Sequence, residues 1–359
     1  MPGAAFISFR LGGVDGVSVE ARKWEWAFHE LGFNVRRIAG ELVDGLRPDD
    51  TWLPFLAITP VPGARVEPDA LAASIAGADV VVVENLCSLP LNLEASTIAA
   101  EVLSAYEGRV VFHHHDLPWE RPHLAHLQGF PPQRTNSLHI TINRLAAHAL
   151  EQRGIEAHLV RNAFDLQPPQ GDRAGTRASL GFQPDHLVVL QPTRAIPRKE
   201  VQRGIAFAQA LQAHVGTRSV QFWLTGPAED GYGPELEELV ASAGLPVTEG
   251  RAARPEDAYA AADVVVFPSS WEGFGNPVIE ATVAGKPVVV AHYPVLDELI
   301  DLGLNLLSID DPGRVAEVVR DPSLRDDDAN REFLRKHFDL NDLPARLRDA
   351  FAAVGWEEW

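Results

Sequence analysis

Two glutamates, Glu272 and Glu280, stand eight positions apart around the stretch GFGNPVI. Carboxylates accept hydrogen bonds from sugar hydroxyls. Gly273 and Gly275 allow a tight backbone path that bulky residues would block. Pro277 suits the first position of a helix, where its missing N–H costs nothing. The amides of Val278 and Ile279 would then lie at a helix N-terminus, a ready anion site, with Glu280 in the first turn. A diphosphate on the amides, one carboxylate on a ribose and the other on a second sugar, is the chemistry this pattern supports. The spacing alone also fits a glycine loop with two solvated acids. Its place directly after the buried run DVVVF is what favours a ligand site.

A second candidate follows HLVVLQ and reads PTRAIPRKE, with Arg194, Arg198 and Lys199. Cations here would neutralise a diphosphate as its charge grows during bond cleavage, leaving no need for a divalent metal. A solvated basic loop is the plainer alternative. The third candidate is HHHDLPWERPH, holding His113, His114, His115, Asp116 and His123. Consecutive side chains on a strand point to alternating faces, so the three adjacent histidines cannot share one ion from a regular strand, and no metal is expected. His115, at the strand end, is the histidine expected to act, with Asp116 orienting it or binding substrate. The fourth is LGGVDG, with Gly12, Gly13 and Gly16 outside the G-x-G-x-x-G spacing. It reads as a loop over substrate, with Gly13 counted on the donor side, or as a plain strand-to-helix turn. Arg10 and Arg121 are candidates to attract an anionic acceptor, with Asp116 beside them.

The elements that must position these residues are short apolar strands alternating with helices. AFISF, NVRRI, DVVVV, RVVFH, LHITI and HLV read as strands in the first half, and HLVVLQ, VQFWL, PVT, DVVVF, PVVVA and NLLSI in the second. Continuous Val/Ile/Leu strands between helices predict parallel sheets covered on both faces. The Pro- and Gly-rich stretch Asp165–Gly175 reads as an interdomain linker. The expectation is an α/β chain of two Rossmann-like parallel-sheet domains facing a cleft. Residues 1–165 form the acceptor-binding domain and 166–339 the nucleotide-sugar-binding domain. Residues 340–359 form a terminal helix, apolar at Leu343, Leu347, Phe351 and Val354, that packs on the first domain.

With 359 residues, 46% of them hydrophobic and 23% charged, the chain is long enough for two such cores. A net charge of −19 argues against nucleic-acid partners, and no apolar stretch approaches a membrane span. Arg22 and Lys23 beside Trp24 and Trp26 would still suit contact with a membrane surface. The single cysteine, Cys87, excludes an intrachain disulfide and fits a reducing cytoplasm; it reads as a small buried hydrophobe.

Taken together, the motifs resemble those of the retaining glycosyltransferases of family 4, which have the GT-B fold. EGFGNPVIEA is similar to that family's E-x7-E segment, and TRAIPRK to its donor-phosphate motif, an arginine followed five positions later by a lysine. AYAAADVVVFPSSWE and VRNAFD fit the flanking segments. Departures are Asn276 where the family is often hydrophobic, Ala163 and Thr193 where glycine is common, and Glu200 where the phosphate segment usually ends in glycine. The resemblance implies transfer with retention and no metal or other cofactor, the nucleotide diphosphate sugar being a co-substrate. It implies that Glu280 holds the ribose and Glu272 the sugar hydroxyls, that backbone amides of Phe274, Gly275, Asn276, Pro277's neighbours and Val278 contact phosphate and sugar, that Arg194 and Lys199 carry the phosphates, and that His115 lies close to the transferred sugar.

The expected partners are a hexose donor linked to UDP or GDP and a small hydrophilic acceptor, with no nucleic acid and no integral membrane association. A homodimer is one option for an oligomeric state the sequence leaves open. A nucleotide-sugar epimerase of the same architecture and a non-catalytic sugar-nucleotide binder are the competing functions; the E-x7-E string paired with TRAIPRK argues against the first, and the presence of both glutamates and both phosphate cations against the second.

Overall fold

The computed structural model describes residues 1–357; Glu358 and Trp359, which end the WEEW segment, lie outside the described residues. The chain divides into two compact units, residues 1–163 together with those from 340 onward, and residues 164–339. The stretch Asp165–Gly175, read from the sequence as a linker, is built into the second unit instead. The Asp172 amide donates to Asp257 Oδ1 at 2.8 Å, and Arg254 donates to the Gln170 carbonyl. Gly171 lies so close to the Glu256 carbonyl that a Cβ would collide with it, so this glycine serves close packing rather than freedom of the chain.

The first unit runs β1 (Gly3–Leu11), α1 (Gly16–Glu30), β2 (Asn34–Leu42), β3 (Thr51–Trp52), α2 (Pro68–Ile75), β4 (Val80–Glu84), α3 (Leu93–Ala105), β5 (Arg109–His114), β6 (Ser137–Thr141), α4 (Arg144–Glu151) and β7 (Ala157–Leu159). Its strands pair in parallel in the order β3-β2-β1-β4-β5-β6-β7. The direction of growth reverses between β1 and β4, the place where an open sheet leaves a crevice at the carboxyl ends of its strands. Every residue of β4 is buried, as a Val-rich strand covered on both faces requires. The two-residue β3 carries too little pattern for the sequence to reveal it.

α1 begins at Asp15, whose carboxylate accepts from the Ser18 amide at 3.1 Å. Trp24 and Phe28, one helical turn apart, face inward, where Phe28 meets Phe6 edge-on with ring centres 5.2 Å apart. The two tryptophans that suggested a membrane surface turn into the unit's core, Trp26 half-buried there, whereas Arg22 stays exposed. Trp24 is buried, Lys23 pairs with Glu20, and Arg22 donates to the Gly13 carbonyl. Among the described residues no helix is long and apolar enough to cross a membrane.

The second unit runs α5 (Arg173–Ser179), β8 (Leu187–Gln191), α6 (Val201–Gln212), β9 (Val220–Leu224), α7 (Gly233–Ser242), β10 (Val247–Glu249), α8 (Pro255–Ala261), β11 (Val264–Phe267), α9 (Asn276–Val283), β12 (Val288–Val290), α10 (Leu296–Asp301), β13 (Leu307–Ser308), α11 (Pro312–Arg320) and α12 (Asp327–His337). Its parallel order is β10-β9-β8-β11-β12-β13, with the reversal between β8 and β11. Both units are thus Rossmann-like. After the second unit the chain forms α13 (Leu343–Ala353), whose Leu343, Leu347, Ala350 and Phe351 join the core of the first unit beside Phe28 and Trp24. Phe351 and Phe28 stand 5.8 Å apart, edge to face.

Phe351→Ala is expected to remove about 3–5 kcal/mol from the first unit. Two units need not unfold together, so urea titrations should follow Trp24-region fluorescence, where the midpoint falls, separately from the second unit, whose midpoint holds.

Candidate active site

In the second unit the loops after β8 and β11 leave neighbouring strands at the point where the strand order reverses. They are bound to each other. The Ser270 amide donates to the Arg198 carbonyl at 3.0 Å, and Arg198 Nη1 donates to the Trp271 carbonyl at 3.0 Å. Between them Glu272 is buried, with Oε1 2.5 Å from Lys199 Nζ and Oε2 3.1 Å from Arg198 Nη1. Burial alone would raise the Glu272 carboxyl, but the charges of Lys199 and Arg198 more than reverse this and hold it below the usual carboxylate range. Burial also pushes the Lys199 ammonium down to about 8, with Glu272 opposing. The sequence singled out Arg194 with Lys199. The structure instead turns Arg194 outward onto Glu229 at 2.6 Å, and Arg198 joins Lys199 on the carboxylate.

The helix after the glycine loop starts one residue earlier than the proline position suggested. Asn276 is its first residue, Pro277 the second, and Glu280 lies in the second turn rather than the first. Gly275 caps it with φ 101°, a left-handed conformation that folds its carbonyl over the first turn. The Val278 amide is consequently spent on Gly275 O at 2.9 Å and is not open to a ligand, contrary to the sequence expectation. The loop rests on buried Tyr293, whose hydroxyl donates to the Phe274 carbonyl at 3.3 Å, while the Phe274 ring packs against Phe338 with centres 5.7 Å apart. Glu280 accepts a 2.6 Å hydrogen bond from Tyr259, a residue of α8. Burial, and then the charge of Glu280, push the Tyr259 hydroxyl well above its ordinary range, so it stays a donor. Neither tyrosine was visible as a site residue, because each lies outside the motif it supports.

In the first unit, His113 and His115 share one face of β5 and its extension, and His114 takes the other. His114 is held by Ser88 Oγ at 2.5 Å and His139 Nδ1 at 3.0 Å. The alternation argument therefore separates the three as expected. What it missed is Glu84, which ends β4 opposite His113. Its Oε2 lies 2.9 Å from His113 Nδ1 and 2.8 Å from His115 Nε2. The carboxylate on His115 is thus Glu84 and not Asp116, which pairs with Arg121 at 2.9 Å. Burial would raise Glu84, but the two imidazoles hold it at about 2. His115 is raised despite its burial, through Glu84, while burial lowers His113. The three ligand-type atoms lie within 4.8 Å of one another. Both oxygen–nitrogen gaps are hydrogen-bond lengths, so the geometry is that of a carboxylate sharing protons with two imidazoles. An acid closing an all-valine run was the available signal for Glu84.

Gly12 and Gly13 turn the chain from β1 into α1. Gly12 has φ 76°, and Asp15, the helix cap, crowds Gly13. LGGVDG is built as a turn from strand to helix. Arg10, near that turn, pairs with Glu41 at 2.8 Å. Cys87 is buried, and burial pushes its thiol up to about 12, as befits an inert hydrophobe.

Residues 193–321 match the family model described as glycosyl transferases group 1. The chain is 28% identical to mannosylglucosylglycerate synthase of Thermotoga maritima, over 86% of this chain and 84% of that protein. It is 31% identical to D-inositol 3-phosphate glycosyltransferase 1 of Catenulispora acidiphila, over 67% of this chain and 52% of that one. Among solved structures it is similar to sucrose-phosphate synthase from Thermosynechococcus elongatus, with a TM-score of 0.71 at 17% identity, covering 99% of both chains. Anabaena Alr3699/HepE, solved in complex with UDP-glucose, gives a TM-score of 0.72 at 17% identity, covering 98% of this chain and 99% of that one. The fold is therefore GT-B.

Gly275→Ala would place a Cβ against the Tyr293 hydroxyl at a backbone angle that costs an L-residue about 1–3 kcal/mol. Tyr293→Phe removes that hydroxyl. The double variant is expected to be more stable than the two single losses sum to, by about 0.5–3 kcal/mol in a double-mutant cycle of thermal unfolding; strict additivity would show that the loop does not rest on Tyr293.

Proposed function

We propose that this group 1 glycosyltransferase moves a hexose from a UDP- or GDP-linked sugar to a hydroxyl of a small hydrophilic, anionic acceptor, with retention at the anomeric carbon and without a metal ion. The observation that carries the donor half is the buried Glu272 carboxylate held between Lys199 and Arg198 where the strand order reverses. A carboxylate fixed this way is preorganised to accept hydrogen bonds from sugar hydroxyls. The two cations beside it supply positive charge where a diphosphate leaves. Arg194 lies on the same loop, and its pairing with Glu229 is exposed enough for a phosphate to compete for it.

In this reading the C1–O bond to the diphosphate breaks while its leaving oxygen takes the proton of the acceptor hydroxyl, which attacks the same face of the sugar. Lys199 balances the charge arriving on the phosphate. Glu280, kept in place by Tyr259, holds the ribose. Backbone of Phe274, Gly275 and Asn276 approaches the phosphates, and His115 contacts the transferred sugar. Gly13 borders the donor. Arg10, Arg121 and Asp116 line the acceptor side, each arginine now satisfied by a carboxylate that an anionic acceptor would displace. The name mannosylglucosylglycerate synthase, carried by a relative, describes a small hydrophilic acid bearing two sugars, and an acceptor of that chemistry suits two arginines. The buried, single Cys87 fits a cytoplasmic setting.

Lys199→Ala and Glu272→Ala should each lower transfer about 100-fold or more with the far-UV spectrum unchanged; full activity in either would sink the donor site. Lys199 is cationic below its titration and neutral above it, so kcat/KM for the donor should fall as pH rises through about 8. Lys199→Arg should move that fall upward. Transfer should survive a chelator; loss restored by a divalent ion would overturn the metal-free reading.

A further inference from the structure

Parallel pairing sets Glu84, the last residue of β4, opposite His113 of β5. His115, two residues on, returns to the same face. One oxygen, Oε2, consequently serves both rings, at 2.9 Å to His113 Nδ1 and 2.8 Å to His115 Nε2. Glu84 and His113 are fully buried, whereas the His115 side chain keeps 6% of its surface exposed. Among the described residues His115 Nδ1 has no hydrogen-bond partner. The main chain is fixed too: Asn85, in a left-handed conformation with φ 60°, accepts the amides of His115 and Asp116 on its Oδ1 at 3.1 and 3.2 Å. Trp24 of α1 stacks on His113 with ring centres 3.8 Å apart, so the second imidazole cannot swing aside.

We propose that Glu84 is a positioning residue for His115: by holding Nε2 it makes Nδ1 the nitrogen presented to substrate. The proposal rests on the reading of His115 as a residue that contacts the transferred sugar. A carboxylate this deeply buried is unfavourable as packing alone, since an apolar side chain would fill the space at less cost. It is explained by what it does to the ring. A carboxylate on one imidazole nitrogen keeps the proton there and fixes both tautomer and orientation. The other charged groups around the pair are already matched: Glu20 with Lys23 on α1, and Asp116 with Arg121. Glu84 is thus the acid that sets the state of His115. A hydroxyl approaching Nδ1 meets a ring that neither rotates nor exchanges its donor and acceptor ends.

Two substitutions at His115 separate the nitrogens. Asparagine places its amide where Nδ1 lies, and glutamine reaches toward Nε2. His115→Asn is expected to keep a kcat at least about tenfold above that of His115→Gln, and Glu84→Gln to lower kcat about 10- to 100-fold with little change in donor KM. In protein labelled with 15N-histidine, a long-range proton–nitrogen spectrum of neutral His115 should show the proton on Nε2, and a mixture of tautomers in Glu84→Gln. Glutamine equal to or better than asparagine, or a proton on Nδ1 in the unmodified enzyme, overturns the proposal. Should Glu84→Gln fail to fold, the spectrum of the unmodified enzyme and the His115 pair still decide. Full transfer by His115→Ala would instead overturn the reading of His115 itself, and the proposal with it. An inactive His115→Ala alongside a Glu84→Gln of unchanged kcat and spectrum would overturn the proposal alone.

Discussion

The ion pair of Lys199 with Glu272 is the interaction on which the second unit's site depends. The two residues sit on loops that leave adjacent strands, β8 and β11, in opposite directions. Nothing in the sheet itself joins those loops. The buried charges do, because a buried carboxylate left without its cation is strongly unfavourable, and each loop is therefore obliged to stay within reach of the other. Arg198 adds a second tie through its own carbonyl and guanidinium, to Ser270, Trp271 and Glu272. The electrostatics and the backbone path enforce each other.

The first unit repeats the arrangement with different chemistry. Its sheet reverses between β1 and β4, as the second reverses between β8 and β11. Glu84 ends β4, and Glu272 follows β11, so the two buried acids occupy corresponding places in the two units. One is matched by an ammonium and a guanidinium, the other by two imidazoles. The countercharges differ in kind: a guanidinium is permanently charged, whereas an imidazole changes state near neutral pH and can be either donor or acceptor. One unit keeps a permanently charged guanidinium beside its buried acid, and the other keeps rings that can change state.

Most of the strand pattern was legible because buried parallel strands are written as short apolar runs, from AFISF to DVVVF. The E-x7-E and TRAIPRK segments were legible because each lies within one short stretch of the chain. What could not be read were partners brought in from elsewhere in the chain. Glu84 meets His115 only through strand pairing, Tyr259 meets Glu280 from another helix, and Tyr293 supports Gly275 from beyond β12. The open Val278 amide was misjudged for a local reason: Gly275 adopts a left-handed cap that turns its carbonyl onto that amide. The linker was misjudged because proline and glycine mark tight packing as readily as looseness, as Gly171 shows.

The return of α13 to the first unit has a consequence for synthesis. The second unit is one uninterrupted segment, 164–339, inserted between two parts of the first. A ribosome therefore finishes everything the second unit needs before it delivers Leu343, Leu347 and Phe351 to the first. During that interval the face of Phe28 that meets Phe351 has no permanent partner, although the unit's strands are already made. Order of emergence and order of completion are reversed: the unit that begins first is the last to close, and for that time its nascent chain is the one that chaperones would find exposed.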